Sequence, residues 1–286
     1  YLPPYKTFCA RFEKPIVQDE DANAVRRLNQ FTGPFILRRM KSEVLRELPP
    51  KTENVRRVEL ETEQRKLYLA AVVDAREKLR AAKPEDKMTV FAVLMRLREI
   101  CCDPRLVADN WTGSSAKLDA CLELVTEAVA GGHRILLFSQ FTSMLELLAK
   151  RLDEAGVSHF TLQGSTPKPV RAEQVRRFNQ GEADVFLISL RAGGTGLNLT
   201  AADIVIHYDP WWNLAAQNQA TDRAYRIGQR NPVQVYRLIA QDTIEEKIVE
   251  LQQAKQSLAD TVTGGADGAI LSMNPEQLLQ LLGEEA

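Results

Sequence analysis

The sequence predicts an α/β fold: a parallel sheet covered by helices on both faces. The first observation is a set of five short apolar runs after residue 115, each of which has the length and composition of a buried parallel strand. The second is that helical patterns separate these runs, an alternation that places helices on both sides of a sheet. The runs lie at 135–138, 157–162, 185–188, 204–208 and 233–238.

The part of the chain before this alternation is predicted to be mainly helical. A helix is expected over about 21–31, and residues 59–60 are predicted as a short strand. Two long helices follow over 62–82 and 85–101, and the break at Lys83–Pro84 makes them a hairpin. The second helix carries an apolar stripe formed by Phe91, Leu94 and Leu97.

Helices are also predicted between the strands and after the last one. An apolar face within 118–129, ended by Gly131–Gly132, gives the first, and the others cover 144–152 and 169–180. A long helix is expected from Thr243 to about 262, where Thr243 and Glu246 would form a capping box. Gly264–Gly265 is predicted to begin a flexible linker. Residues 274–282 are predicted to form a short amphipathic helix, to which no function is assigned.

Composition excludes several classes of protein. Apolar content of 44% and charged content of 26% are ordinary for a soluble domain, and the net charge of −1 gives no global attraction to nucleic acid. No apolar run approaches a membrane span. The four cysteines have no paired spacing, and with three scattered histidines they predict reduced core thiols and no metal site.

Polar residues are concentrated in the stretch 185–230. A glycine-rich turn, Gly193 to Gly196, follows the strand at 185–188, and glycines there leave amides free for an oxyanion or phosphate. Arg223 and Arg226 are three apart, so on a helix they would share a face and offer two guanidinium forks to a phosphate. An ordinary turn and a solvated helix face are the alternatives for these two patterns.

Two strings in this stretch resemble the last two helicase motifs of the Swi/Snf-type DNA translocases of helicase superfamily two. They are SLRAGGTGLNLTAAD and QATDRAYRIGQ, in this order and at this separation. Similar passages earlier in the chain are YKTFCARFEKPI, FILRRMKSEVLRELPPKTE and LREICCDPRLV. The resemblance implies the second RecA-like lobe of a double-stranded-DNA-dependent ATPase, with an inserted helical hairpin and N- and C-terminal helical extensions.

The resemblance also implies a division of the chain. Residues 1–50 would be the end of the first lobe and the connector, including the basic cluster of Arg38, Arg39 and Lys41. Residues 51–112 would begin the second lobe and contain the helical insertion. Residues 113–242 would form the RecA-like lobe, and 243–286 a brace helix and tail. We therefore expect the chain to be a piece of a longer protein.

Roles on the nucleotide side follow by resemblance, residue by residue. Arg223 and Arg226 resemble the arginine fingers of the family, and Arg226 would be the partner of the γ-phosphate. Gln219 and Gln229 bound the same motif, and Gly194 and Gly196 resemble glycines at the lobe interface. The implied cofactor is ATP with magnesium, held mainly by an absent first lobe, because the sequence has no GxxxxGK[ST] loop and no acidic magnesium-binding box.

Roles on the DNA side follow in the same way. The loop of Gln163, Gly164, Ser165 and Thr166 resembles one that touches the DNA backbone, and a plain strand-end turn is an equal alternative. Trp212 is similar to a tryptophan placed against the minor groove; its alternative is a core residue, although two adjacent tryptophans are not both expected to point inward. The remaining candidates for contact with DNA are Ser139, Arg171, Ser189 and Thr195.

The function implied is ATP-driven translocation on double-stranded DNA, with the first lobe of the same parent chain as partner, and with no membrane partner. The isolated chain would be almost inactive, and its location would be intracellular: cytoplasm or nucleoid in a bacterium, nucleus in a eukaryote. Two alternatives remain. One is a strand-separating DNA or RNA helicase of the same superfamily, and the other is a non-catalytic nucleic-acid-binding or interaction module.

Overall fold

The computed structural model describes residues 3–17, 21–35, 48–193, 196–259 and 273–283. The chain divides into two compact units, one formed by residues 1–47 and 253–266 and the other by 48–252 and 267–286. The basic cluster of Arg38, Arg39 and Lys41 and the linker predicted at Gly264–Gly265 lie outside the described residues. The division predicted at 112 and 242 stays a prediction.

The first unit contains short N-terminal helices. Helix α1 (Tyr5–Phe8), a π-helical turn (Cys9–Glu13) and α2 (Lys14–Val17) are followed by α3 (Ala22–Thr32). Helix α3 begins where the sequence predicted, because the Asp21 side chain accepts the backbone N–H of Asn23 and caps it. Phe12, Ile16 and Ala24 form a small buried cluster in this unit.

The second unit is built on one six-stranded parallel sheet in the order β1-β6-β5-β2-β4-β3. Every adjacent pair of strands is parallel. The strands are β1 (Lys51–Val58), β2 (Ile135–Ser139), β3 (His159–Leu162), β4 (Val185–Ser189), β5 (Ile204–His207) and β6 (Val233–Ala240). The five strands predicted from apolar runs are confirmed, with ends that move by one or two residues.

Strand β1 corrects the prediction of a strand at residues 59–60. It ends at Val58, and it is exposed along nearly its whole length. Its sequence, KTENVRRV, has no apolar run, so hydrophobicity gives no signal for it. The strand is defined instead by its pairing with β6, in which Lys51 is opposite Val233 and Val58 is opposite Ala240.

Helices cover both faces of the sheet, as predicted. The helices after α3, including those of the hairpin and the C-terminus, are α4 (Thr62–Ala81), α5 (Lys87–Cys102), α6 (Ala116–Ala130), α7 (Thr142–Glu154), α8 (Lys168–Asn179), α9 (Leu190–Gly193), α10 (Leu214–Thr221), α11 (Ile244–Ala259) and α12 (Pro275–Leu281). Alternate residues of β2 point to opposite faces, so that Leu137 joins one buried cluster and Leu136 and Phe138 join the other.

The hairpin of α4 and α5 has its own core. Leu94 and Leu97 are buried in it, but Phe91, predicted as part of the same stripe, is 38% exposed, and Val90 and Val93 are buried instead. Leu278 of the C-terminal helix α12 is also fully buried in this core. The predicted terminal helix therefore packs on the hairpin.

The start of α11 differs from the predicted capping box. The hydroxyl of Thr243 accepts the N–H of Glu245 over 3.2 Å and donates to the carbonyl of Ala240. The Glu246 carboxylate accepts the N–H of Asp242 over 2.9 Å, and not that of Thr243. Asp242 has φ of +55°, and the turn at this residue brings its own N–H, instead of that of Thr243, to the Glu246 carboxylate. No described helix is long and apolar enough to cross a membrane.

Candidate functional site

The adjacent residues Trp211 and Trp212 follow β5 and are each partly buried. Trp211 packs against the cluster that includes Phe138 and Val205, and Trp212 packs against the hairpin core. The expectation that two adjacent tryptophans would not both turn inward is therefore wrong, because each one packs against a different cluster. Contact between Trp212 and DNA stays a prediction.

A buried carboxylate, Asp209, organises the ends of β2 and β5. It accepts the hydroxyl of Ser139 over 2.6 Å and the backbone N–H of Gln140 over 3.2 Å. The hydroxyl of Ser139 also accepts the N–H of Phe141 over 3.2 Å, and Ser139 is fully buried. A direct contact of the Ser139 hydroxyl with DNA does not fit this arrangement, because its hydrogen bonds are made inside the protein.

The glycine-rich stretch after β4 begins as a helical turn. Strand β4 leads directly into α9, and the buried Ser189 hydroxyl accepts the N–H of Ala192 over 3.3 Å. Ser189 is therefore a cap in this structure. Gly196 is exposed and has φ of +41°, a left-handed conformation that favours glycine. Gly194 and Thr195 lie outside the described residues.

The two arginines of the last motif do not share a helix face, which corrects the prediction. Helix α10 ends at Thr221, and residues 222–228 form successive turns. The helix ends there because the carbonyl of Arg223 accepts the N–H of Leu199, from the loop before β5, over 3.0 Å. The N–H of Arg226 is bonded to the carbonyl of Ala224, a spacing too short for an α-helix.

Arg223 and Arg226 differ in exposure and lie close enough to affect each other. Arg223 is buried, whereas Arg226 is exposed. Burial lowers the pKa of the Arg223 guanidinium, and the like charge of Arg226 lowers it further, while Asp222 opposes the change. Two guanidinium groups this close together repel each other and form a local positive site. A bound anion would relieve that repulsion.

Gln229 holds the turn that carries these arginines. The two hydrogens of its amide nitrogen are shared among the carbonyls of Ala202, Ala224 and Thr200, which lie 2.7, 3.2 and 3.3 Å away. Its amide oxygen accepts the N–H groups of the next two residues over 2.9 Å each. Gln219, at the other end of the motif, is exposed on α10. Gln229 therefore orders the motif from inside, and Gln219 is on its surface.

The loop after β3 is closed on itself and presents its tip to solvent. The N–H of Gln163 donates to the Thr166 hydroxyl over 3.0 Å, and the N–H of Thr166 donates to the Gln163 carbonyl over 3.1 Å. Gly164 and Ser165, between them, are exposed. Arg171 is partly buried in the first turn of α8, the helix that follows.

Comparisons with known proteins agree with this geometry. A model of the helicase conserved C-terminal domain matches residues 116–228, and a model of the SNF2-related domain matches residues 2–106. The SWI2/SNF2 ATPase core of Sulfolobus solfataricus, solved in complex with double-stranded DNA, is 30% identical. It superposes with a TM-score of 0.70 over 99% of this chain and 61% of that one.

The chain belongs to the Swi/Snf family. The C-terminal domain of the same Sulfolobus ATPase superposes with a TM-score of 0.68 at 27% identity, over 82% of this chain and all of that domain. The fold is therefore the RecA-like second lobe of a Swi/Snf ATPase domain, as the sequence predicted. An uncharacterized ATP-dependent helicase of Mycoplasma pneumoniae is 38% identical over 98% of this chain, which spans 27% of that protein's length.

The structure brings only part of the predicted Swi/Snf site together. The arginine turn is bonded to the loop before β5, whereas the 163–166 loop and Trp212 come after β3 and β5; helix α10 connects the turn to Trp212. Among the described residues, no group of three or more His, Cys, Asp or Glu side chains is placed to hold a metal ion. Sequence reasoning missed Asp209 and its partner Arg98 of α5, since a lone arginine in a helical pattern gives no signal of burial.

Proposed function

We propose that this chain is the second lobe of an ATP-driven translocase that acts on double-stranded DNA. The observation that carries the proposal is the arginine turn, which places exposed Arg226 close to buried Arg223. The turn is bonded through the Ala224 carbonyl to Gln229, whose side chain is also bonded to the loop before β5. Two neighbouring guanidinium forks suit the phosphates of a nucleotide, and their charge would stabilise the charge that develops at a transferred phosphoryl group.

This lobe would supply only part of the nucleotide site. ATP provides the phosphoanhydride bond whose hydrolysis drives the cycle, and the arginine turn fits its phosphates. The sequence has no phosphate-binding loop, and the described residues show no cluster that suits magnesium. We therefore assign the remaining contacts to a first lobe and expect hydrolysis only when the two lobes close, so that the isolated chain is almost inactive.

The DNA contacts would lie along one edge of the sheet. The loop at 163–166 follows β3, and Trp212 follows β5; in a parallel sheet both points lie at the carboxyl edge, where α/β folds bind their ligands. Strands β2 and β4 separate β3 from β5, so the two points are about 14 Å apart, on the scale of a DNA groove. The Sulfolobus relative solved with double-stranded DNA supports a DNA duplex as the substrate.

The test is DNA-stimulated ATP hydrolysis by the full-length protein, with wild type beside Arg226→Ala. We expect turnover to fall by about 10³ to 10⁵, the contribution of an arginine finger, with DNA affinity unchanged. Arg151→Ala is the matched control, because Arg151 is on the surface of α7, in ion pairs that are themselves exposed. Unchanged turnover in Arg226→Ala would mean that Arg226 does not act on the nucleotide.

Two further experiments distinguish a two-lobe translocase from the alternative functions. The isolated chain should show negligible turnover with or without DNA, and turnover equal to that of the full-length protein would contradict the two-lobe arrangement. A duplex with a labelled strand should keep its strands paired during hydrolysis, whereas release of the strand would favour a strand-separating helicase. With double-stranded DNA as the substrate, the proposed location is intracellular: cytoplasm or nucleoid in a bacterium, nucleus in a eukaryote.

A further inference from the structure

Arg98 is a fully buried arginine in the middle of the hairpin helix α5. Its side chain leaves the hairpin core and enters the space between the ends of β2 and β5. Burial of a guanidinium is costly unless its donors are used, and an apolar side chain of similar volume is often at least as stable in such a place. The arginine therefore calls for an explanation in terms of what it holds.

The contacts of Arg98 join two loops at the carboxyl edge of the sheet. Nη1 donates to the side-chain oxygen of Gln140 over 2.6 Å, and Nη2 donates to the Asp209 carboxylate over 3.3 Å and to the carbonyl of Pro210. The guanidinium carbon lies 4.0 Å from the centre of the Trp212 ring. One planar group thus fixes the loop after β2, the loop after β5 and the face of the tryptophan.

Two other residues of α5 hold the same loops. The side-chain nitrogen of Gln140 also donates to the sulfur of Met95 over 3.3 Å. At the end of the helix, the carbonyl of Cys102 accepts the hydroxyl of Tyr208 over 2.9 Å. Residues 95, 98 and 102 lie on one face of α5, so the helix holds the two loops along nearly two turns.

We propose that Arg98 is a positioning residue for the response to DNA: it fixes the loops after β2 and β5 and so orients Trp212, so that the duplex is held at this edge. The inference rests on the function proposed above, and it adds the hairpin helix to the elements that determine DNA contact. Arg98 itself is buried and touches neither nucleotide nor DNA. Its effect passes through the Trp212 ring, which it covers on one face.

A substitution that tests this role must remove the planar guanidinium group of Arg98 without leaving an unpaired charge buried in the protein. Arg98→Met keeps most of the buried volume but leaves the Asp209 carboxylate without its partner, which alone can prevent folding. The double variant Arg98→Met with Asp209→Asn removes both charges, while the asparagine oxygen still accepts from Ser139. Arg98→Lys keeps a positive charge beside Asp209 but has no planar fork to reach Gln140, Asp209 and Pro210 together.

The readouts separate positioning from a general structural role. In the full-length protein, we expect the double variant to have nearly the melting temperature of the wild type. Its rate of ATP hydrolysis in the absence of DNA should also equal that of the wild type. The DNA concentration for half-maximal stimulation should rise about tenfold or more, the factor expected for loss of one aromatic contact with a base. Arg98→Lys should show the same rise. Arg96→Met, which changes the exposed arginine of the same helix, is the matched control and should leave that concentration unchanged.

Amide hydrogen exchange of residues 209–213 gives a readout that does not depend on activity. Exchange there should accelerate in both Arg98 variants and remain at the wild-type rate in the control. A folded double variant with wild-type DNA response and wild-type exchange would overturn the proposal. If the wild type itself shows no stimulation by DNA, the proposed function fails, and the exchange rates still decide whether Arg98 orders the loop.

Discussion

The fully buried ion pair between Lys117 and Glu245 gives a direct test of how the second unit is held together. Lys117 is in the first turn of α6 and Glu245 is in the first turn of α11. The ammonium donates to both carboxylate oxygens over 2.6 Å, and one of these oxygens also accepts the N–H of Ala240 at the end of β6 over 2.8 Å. The pair therefore joins two helices to a strand.

The expected cost of breaking this pair follows from its burial. Both side chains are fully buried. Burial alone would lower the pKa of Lys117, but the facing Glu245 carboxylate more than offsets that effect and raises it above its ordinary value. Lys117→Met leaves the carboxylate buried without a counter-charge, which costs about 3–5 kcal/mol of unfolding free energy. Lys117→Met with Glu245→Gln removes both charges, and about 1–3 kcal/mol of the loss should be recovered.

Urea unfolding followed by circular dichroism measures both variants against the wild type. The single variant should have the lower midpoint and the double variant an intermediate or higher one, with similar slopes. The reasoning is refuted if Lys117→Met costs less than about 1 kcal/mol, or if the double variant is less stable than the single one. A small cost would mean that Glu245 takes up a proton or reaches water in the folded protein, and a less stable double variant would mean that the two side chains contribute more than their charges.

Two further predictions concern buried polar side chains. Burial, together with the charges of Arg237 and Lys51, lowers the pKa of His207 to about 3. Since the unfolded chain takes up this proton near pH 6.5, stability present above pH 6.5 should be lost as the pH falls towards 3, by up to about 1.4 kcal/mol per pH unit. His207→Gln should flatten the dependence of the urea midpoint between pH 6.5 and 5, and an unchanged slope would assign the dependence to other groups. Gln229→Ala should destabilise the chain by about 1–3 kcal/mol and reduce DNA-stimulated turnover at unchanged DNA affinity; normal turnover would show that Arg226 does not need this turn.

The parts of the fold that the sequence predicted are those in which one segment carries its own signal. Strands β2 and β4 are buried on both faces, so each is an uninterrupted apolar run. Strand β1 has no such signal, because its exposed, charged residues belong to a strand only through hydrogen bonds to β6, about 180 residues later. An edge strand of this kind is specified by its partner, and no window of sequence contains both.

The same reasoning explains what was missed in the candidate site. The pattern at 214–230 predicted one helix, but the N–H of Leu199 takes the carbonyl of Arg223 and ends helical bonding before Arg226. Arg98 lies in a helix whose other arginine, Arg96, is exposed, and nothing in the spacing distinguishes the two. In both cases the decisive partner comes from another loop, and its identity appears only when the sheet is assembled.

Helix α10 suggests how the nucleotide and DNA sides of the proposed site are connected. It is eight residues long, about 12 Å, and it joins the Trp212 loop to the arginine turn. At its start, the Gln217 side chain accepts the N–H of Trp211 over 3.2 Å; at its end, the Thr221 hydroxyl is bonded to His207 of β5 over 2.9 Å. Because α10 is bonded to the tryptophan loop near its start and to β5 at its end, we expect a displacement of the arginine turn to change one of these two contacts. Nucleotide and DNA would then be coupled through the hydrogen bonds of α10.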